Sequence, residues 1–574
     1  MKLPGNYTTT LPRPNKVDDL KYGEESTFGR VAWRSGMDRD KRIKHDGFVL
    51  KYRAFTNSLL KDIDPNEAFH KSNWPHWVKQ LPGPLKDKSF SDSETVLKYW
   101  LDALFHNDQH ILVKQWSEKY GRNYVVPTPH FGWGKTPSLS YFLIVCNPCD
   151  HQRLAFNHVK KAPIYDGLNY GQSFLGHYDV KEWRQQRNHL MQPMLPLSIF
   201  STMFPAIEEC VSDLMNRIGK GDESTLFYGS GKPKKAFNIH ELILDTTFKI
   251  LMRTLIGEED NFVNENSQSI RWALQRPDFA DYEATGIIKQ WCRSLLSRAQ
   301  ANKDNIGPLM RELIEIPALY KTTEPGHKGA IKQTHDNLAI ISLAGHDTTG
   351  STITFCLMEL CAHPEWQDRC RVEIEQVFDQ IALEKRGINY ADFHKFENLT
   401  KCINETLRIW PAVPYGSQRE FEHDDYITDI KGEKVTIPKG TMFMIPNYCQ
   451  GRSTQLWGPD ANTWCPSKWS GFADDCSINF KNSNPQFSAR NPESPRFHPF
   501  TRGPRDCFGK NFAQAEIRMV LSHLLYNYEF SLAEPSKSQY LQNAEQIAWQ
   551  MAGILKPVDG LWMHITKKSV KARL

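Results

Sequence analysis

Apolar residues recur at helical spacing in the last part of the chain. Ala513, Ile517, Val520, Leu521 and Leu524 share one face, which predicts a helix opened by the turn at Gly503, Pro504 and Gly509. A longer helical pattern covers residues 334–363 and stops before Pro364. Its ends are good helix material and its middle is poor, because Gly345, Thr348, Thr349, Gly350, Ser351 and Thr352 cluster there. Glycine costs about 0.8–1.0 kcal/mol relative to alanine in a helix, so the cluster predicts a functional break in the local rule. Hydroxyls at these positions can bond to backbone carbonyls and open the turn, leaving room for a small ligand. A capping box from Ser91 to Glu94 precedes an amphipathic run at 96–105. Residues 115–126 and 139–146 read as a helix end and two strands, 200–330 as mostly helical, and 431–448 as strand-rich around a turn at 436–441. Glu405 and Arg408, three apart, share one helical face. The sum predicts a mainly α protein with small β-sheets, an α+β fold.

Residues 1–80 are polar and irregular, with a densely charged stretch at 37–46 and a short ordered piece expected at 47–55. A membrane-spanning helix needs roughly 20 apolar residues and a secretory signal roughly 7 to 15. No such run occurs between Met1 and Lys79, so the expectation is a polar extension without a transmembrane anchor. Leu81-Pro82-Gly83-Pro84 then stiffens the chain, and 81–574 is expected to form one large body. In the 574-residue chain, 71 basic and 66 acidic residues leave a net charge of +5, spread too thinly to argue for nucleic acid. That balance permits an acidic redox partner or peripheral contact with anionic lipid. Twelve cysteines at irregular spacing suggest a reducing, intracellular setting, either cytoplasmic or against the endoplasmic reticulum membrane. Cys146 and Cys149 form C-N-P-C without a second ligand pair, and read as a strand end rather than half a zinc site. The run at 229–235, G-S-G-K-P-K-K, lacks the phosphate-loop pattern and reads as an exposed connection.

Three constellations carry chemistry. Cys507 sits in F-H-P-F-T-R-G-P-R-D-C-F-G-K-N, residues 497–511, directly before a helix. A lone cysteine is most simply a buried structural residue, yet a helix N-terminus with Arg505 nearby favours the thiolate that metal ligation needs. Trp183 and Arg187, four apart, present an indole N–H beside a guanidinium fork, which suits a carboxylate or else describes a surface arginine next to a core tryptophan. Asp347 and Thr348, in the poor middle of the long helix, read either as surface polarity or as a paired acid and alcohol.

Phe500, Gly503, Arg505, Cys507 and Gly509 match every defined position of Phe-x-x-Gly-x-Arg-x-Cys-x-Gly, and here the chain resembles the cytochrome P450 family. Trp183-x-x-x-Arg187, Ala344-Gly345-His346-Asp347-Thr348-Thr349 and Glu405-x-x-Arg408 follow the family's motifs in its order, over residues 81 onward. The resemblance implies the cytochrome P450 fold, a long central helix over a thiolate-ligated haem. It implies haem b with Cys507 as axial iron ligand. Arg505, Trp183, Arg187 and Arg419 would neutralise the propionates, Asp347 would be the proton source and Thr348 its partner alcohol. His346 is not expected to ligate metal, since the loop supplies the thiolate. The implied activity is monooxygenation, with one atom of O2 entering a C–H bond of a hydrophobic small molecule. No flavin or nicotinamide fingerprint is present, so electrons would come from NADPH through a separate flavin-containing cytochrome P450 reductase or similar donor. Gly451-Arg452, where many members have His-Arg, and Lys510 after the loop are similar to the branch that hydroxylates fatty acids near the chain end (omega-hydroxylases). A fatty acid is thus the leading substrate, with a sterol, terpenoid or aromatic as rivals, and residues 412–417 and 165–177 are expected to line its pocket. The alternative is a haem-thiolate protein that rearranges a peroxide or senses a gas without hydroxylating. One departure stands out: Lys468 occupies the place of the arginine that holds the family's Glu-x-x-Arg pair.

Overall fold

The computed structural model describes residues 56–105, 109–130, 138–163, 165, 171–220, 236–258, 260–274, 282–319, 325–470, 494–551, 553–557 and 560–568. The expectations for 1–55, including the charged stretch and the ordered piece at 47–55, and for the connection at 229–235, lie outside these residues. Nine helices bear on the site: α1 (Ser93–Phe105), α2 (Gln109–Tyr120), α3 (Pro148–Asn157), α4 (Val180–Leu190), α5 (Ile239–Leu251), α6 (Asp260–Leu274), α7 (Pro325–Ala362), α8 (Glu397–Ile409) and α9 (Lys510–Asn527).

The strands form small sheets, as the sequence predicts. β1 (Asn123–His130) and β2 (Ser138–Val145) pair antiparallel, in register Asn123 with Val145. β7 (Met442–Ile445) joins β2 in parallel and β4 (Ser417–Glu420) completes the four-stranded sheet. β5 (Asp425–Thr428) and β6 (Lys434–Ile437) form a hairpin of their own. β3 (Phe237–Asn238), β11 (Trp562–Lys567) and β8 (Tyr528–Leu532) make a third sheet, and β9 (Ala548–Met551) with β10 (Ile554–Pro557) a final hairpin. The expected extension is partly built into this fold, since Trp74, Trp77 and Val78 are buried against the β1, β2 and β5–β6 side chains. Among the described residues, no helix is long and apolar enough to cross a membrane.

Two local expectations change. Helix α1 is not capped by a Ser91–Glu94 box: the Thr95 amide donates to Asp92 Oδ1 (2.7 Å), and the amides of Ser93 and Glu94 donate to Asn66 Oδ1 (3.0 and 3.2 Å). Glu94 instead pairs with Lys98 at 2.6 Å, one turn along. The motif C-N-P-C does end a strand, and Asn147 caps α3 by accepting the Cys149 amide at 3.0 Å.

Helix α7 is the axis of the molecule. Its 38 residues span about 57 Å, with α5, α8 and α9 packed around it. Hydroxyls do bond back to the preceding turn, Ser342 to Leu338 O (2.7 Å), Thr348 to Ala344 O (2.7 Å), Thr352 to Thr348 O (2.9 Å) and Thr354 to Gly350 O (2.7 Å). The turn is nevertheless not opened, for α7 runs unbroken from end to end. The glycines at its middle, Gly345 and Gly350, serve close packing. A Cβ on Gly345 would lie 2.7 Å from Leu251 Cδ1, and one on Gly350 2.9 Å from Leu244 Cδ2, both side chains of α5. Thr247 of α5 also donates to the His346 carbonyl at 3.0 Å.

Under α8, Arg408 is fully enclosed. It donates to both oxygens of Glu405 (2.7 and 2.6 Å) and to the carbonyls of Gly451 (2.5 Å), Ala461 (2.6 Å) and Thr463 (3.0 Å). Lys468 does not join them and pairs with Asp460. Glu405 receives the Trp469 indole N–H at 3.0 Å and the Cys465 amide at 2.7 Å instead. Arg408→Ala, which strands the Glu405 carboxylate, should lower unfolding free energy by about 3–5 kcal/mol. Lys468→Ala, which leaves a half-exposed Asp460, should lower it by less than about 1 kcal/mol. Equilibrium denaturation of the two variants checks this ordering.

Candidate active site

The loop before α9 is shaped by where it must lie. The Cys507 amide donates to Phe500 O at 2.8 Å, and Thr501, at φ 58°, donates through Oγ1 to Arg505 O at 3.1 Å. Gly503 has φ 74°, and a Cβ there would sit 2.4 Å from the Ala155 carbonyl at the end of α3, so backbone conformation and contact both demand glycine. The loop is thereby pressed onto α3. Cys507 retains accessible surface although protein crowds around it. Burial pushes the thiol up, while the Gly509 N–H, Arg187 and Lys510 pull it down, and burial wins. This corrects the expectation that Arg505 favours the thiolate: Arg505 is turned elsewhere, and a bound metal must supply the deprotonation.

Arg505 lies over the Trp183 ring at 4.0 Å and donates to the carbonyls of Val159 (2.9 Å), Phe174 (3.0 Å) and His177 (2.8 Å). Arg419 on β4 donates to the carbonyls of Ala155 (2.7 Å), His158 (3.0 Å) and Arg502 (3.3 Å) and to Ser417 Oγ (3.2 Å). Lys161, which the sequence reading missed, is buried beside them, with Ser417 Oγ at 3.1 Å and the Tyr165 hydroxyl at 3.4 Å. Among the described residues none of these three cations bonds to a carboxylate. Burial and mutual repulsion bring Arg505 down to about 9 and hold Lys161 well below its ordinary value, and burial brings Arg419 to about 10. Buried charges of one sign call for a counter-ion, and two carboxylates on one ligand, as on haem, fit this donor set. Arg187 differs, because Asp506 already engages it at 2.5 Å.

Above the loop, Ala344 is exposed and Gly345 and Thr348 are partly open on a helix otherwise buried at that level. Thr348 spends its hydroxyl hydrogen on Ala344 O, so its lone pairs are what it presents. Asp347 is fully buried and its Oδ2 accepts from Lys556 Nζ of β10 at 2.7 Å. Burial would raise this carboxyl, but Lys556 and the neighbouring His346 and His240 hold it below its ordinary value. Lys556 was also missed, although a lone charge in the apolar strand Ile554-Leu555-Lys556-Pro557 was a usable signal. The hairpin docks where the pocket was expected, its Leu555 amide donating to Ala412 O at 2.8 Å. Of the other expected pocket segment, residues 166–170 lie outside the described residues. One further cluster, His158, His423 and Asp425, has metal-ligand spacing. His158 Nδ1 accepts the Glu422 amide at 3.1 Å, so Nε2 carries the hydrogen that Asp425 accepts at 3.0 Å and has no lone pair for a metal.

The family model for cytochrome P450 matches residues 141–554. The chain belongs to the cytochrome P450 family. Members of this family bind haem through a cysteine thiolate and, as haem monooxygenases, take electrons from a separate reductase. A cytokinin hydroxylase of Arabidopsis thaliana is 25% identical over 449 residues, 73% of this chain and 78% of that protein. Cytochrome P450 714C2 of Oryza sativa subsp. japonica is 34% identical over 200 residues, 34% of this P450 and 33% of the rice protein, so the match spans about a third of that relative. Probable cytochrome P450 313a4 of Drosophila melanogaster is 28% identical over 264 residues.

Buried neutral histidines give this P450 a pH dependence. Burial lowers His498 to about 3 and His240 and His346 to about 4. The unfolded chain therefore binds more protons below about pH 6.5, and stability should fall as pH drops from there toward 4, on the order of 1 kcal/mol per histidine per pH unit. Denaturation midpoints at pH 7 and 5 measure it, with a smaller difference expected for His498→Phe.

Proposed function

We propose that this P450 is a hydroxylase that inserts one oxygen atom from O2 into a C–H bond of a hydrophobic small molecule, with electrons from an NADPH-dependent reductase. Cys507 would hold the haem iron through its sulfur, and Arg505, Arg419, Lys161, Trp183 and, on leaving Asp506, Arg187 would orient the cofactor through its carboxylates. Haem, when bound, supplies the oxygen activation and the oxidation of substrate. The chain's part is to position substrate and to hold and pass protons. The observation that carries hydroxylation over rearrangement is Asp347 beside Thr348 on one turn of α7, the acid buried and charged, the alcohol open. Thr348 Oγ1 offers an acceptor on the open face, and Asp347, its neighbour in the chain, is the acid that exchanges a proton there in this reading. A fatty acid is the proposed substrate class, supported by Gly451-Arg452 and Lys510. The relatives' names add a hydroxylase that acts on a cytokinin as a competing class. Residues 81–574 are the proposed haem domain, with the preceding segment as an extension.

The ferrous carbon monoxide difference spectrum tests the ligand: Cys507→Ala should lose the thiolate signature and all turnover, and normal turnover by that variant would end the proposal. Thr348→Ala should keep the spectrum while at least roughly a tenfold larger share of NADPH electrons ends as hydrogen peroxide. Spectral shifts on adding fatty acids or N6-substituted adenines decide between the substrate classes.

A further inference from the structure

Every residue of β10 is buried, including Lys556 at 4% exposure. A lysine in such a strand cannot carry its ammonium group to water along the stem, and the enclosed charge is tolerable only when paired. Its partner, Asp347, is 0% exposed on α7, with Nζ 2.7 Å from Oδ2. The other oxygen, Oδ1, has no hydrogen-bond partner among the described residues. The titratable groups around the pair are His346 on α7 itself, His240 on α5 and, acting on those histidines, Glu241 on α5 and Arg271 on α6. His346 Nδ1 donates to Ser342 O at 2.5 Å while its Nε2 has no hydrogen-bond partner among the described residues, and His240 Nδ1 lies 3.2 Å from Thr354 Oγ1, so neither ring hydrogen-bonds to Asp347. Lys556 is the cation that touches the acid.

We propose that Lys556 is the positioning residue of the proton-handling acid: by binding Oδ2 it fixes the Asp347 rotamer and keeps the carboxylate charged, leaving Oδ1 as the oxygen that exchanges protons. The proposal rests on the reading of Asp347 as that acid. The same bond ties the substrate-side hairpin β9–β10, 209 residues away in sequence, to the central helix. The sign of the effect follows from burial. With Lys556 present, Asp347 stays ionised to below its unfolded value, so the stability it contributes is present above about pH 3.8 and lost only as pH falls further. Without Lys556 only desolvation remains as a strong influence, the carboxyl moves up, and the buried charge becomes a liability that acid relieves.

The test uses full-length holoprotein carrying Lys556→Met, Lys556→Arg, Asp347→Asn and the double variant Lys556→Met/Asp347→Asn. Thermal midpoints between pH 5 and 7.5 need no substrate. Lys556→Met should lose stability relative to the double variant at pH 7.5 and recover the difference toward pH 5. In turnover, Lys556→Met should lower product per NADPH roughly tenfold and introduce an ionisation in the pH profile between 5 and 8 that the parent lacks, while Lys556→Arg restores most of both. A midpoint difference independent of pH, together with parental product yield and profile, would overturn the proposal. A pH-dependent difference in a protein that never hydroxylates would leave the ion pair intact and overturn the hydroxylase reading instead. If Lys556→Met fails to fold while the double variant folds, the uncompensated charge is shown directly; if neither folds, Lys556 is a packing residue and the proposal falls.

Discussion

The structure depends on concentrated positive charge held out of water. Lys161, Arg419 and Arg505 come from three separate segments of the chain and meet between α3, β4 and the loop before α9. Like charges brought together in a medium of low polarisability repel, and the chain offsets this with main-chain carbonyls, three of them on Arg505 alone. Each guanidinium thereby knits together the pieces that supply its acceptors. The same arrangement fixes the Cys507 loop against α3 and against Val159, Phe174 and His177.

The second organising demand is that α5 lie almost against α7. Gly345 and Gly350 allow it, and the approach brings Thr247 to the carbonyl of His346 and His240 to the hydroxyl of Thr354. One side of the central helix is therefore sealed by α5, while Ala344 and Thr348 lie on an open side. The two sides meet at Asp347, where a buried carboxylate is anchored by a lysine from the last hairpin. Packing and the charge state of this carboxylate are set by the same few residues.

What was legible in the sequence was local. The Cys507 loop, the helices at 183–187, 334–363 and 405–408, and the strands of the first sheet announce themselves through spacing and turn chemistry within a few residues. The reading failed where a distant partner decides. Asn66 takes over amides that a local capping box would have served, and Leu244 and Leu251 explain glycines that looked like an opening of the helix. Lys161 and Lys556 gain their meaning from Ser417 and Asp347, 256 and 209 residues away. Arg505 could be placed near Cys507 by spacing, but its orientation toward Val159, Phe174 and His177 could not.

The exchange of lysine for arginine at 468 has a consequence for the region beneath α8. With Trp469 as a neutral donor to Glu405, the enclosed group comprises one carboxylate and one guanidinium, and its charges cancel. A second guanidinium would have left a surplus of positive charge to be dehydrated. The anchor of this helix is electrically balanced, and dissolved ions find little there to screen. Its grip is that of a well-fitted dipole, as firm in brine as in dilute buffer.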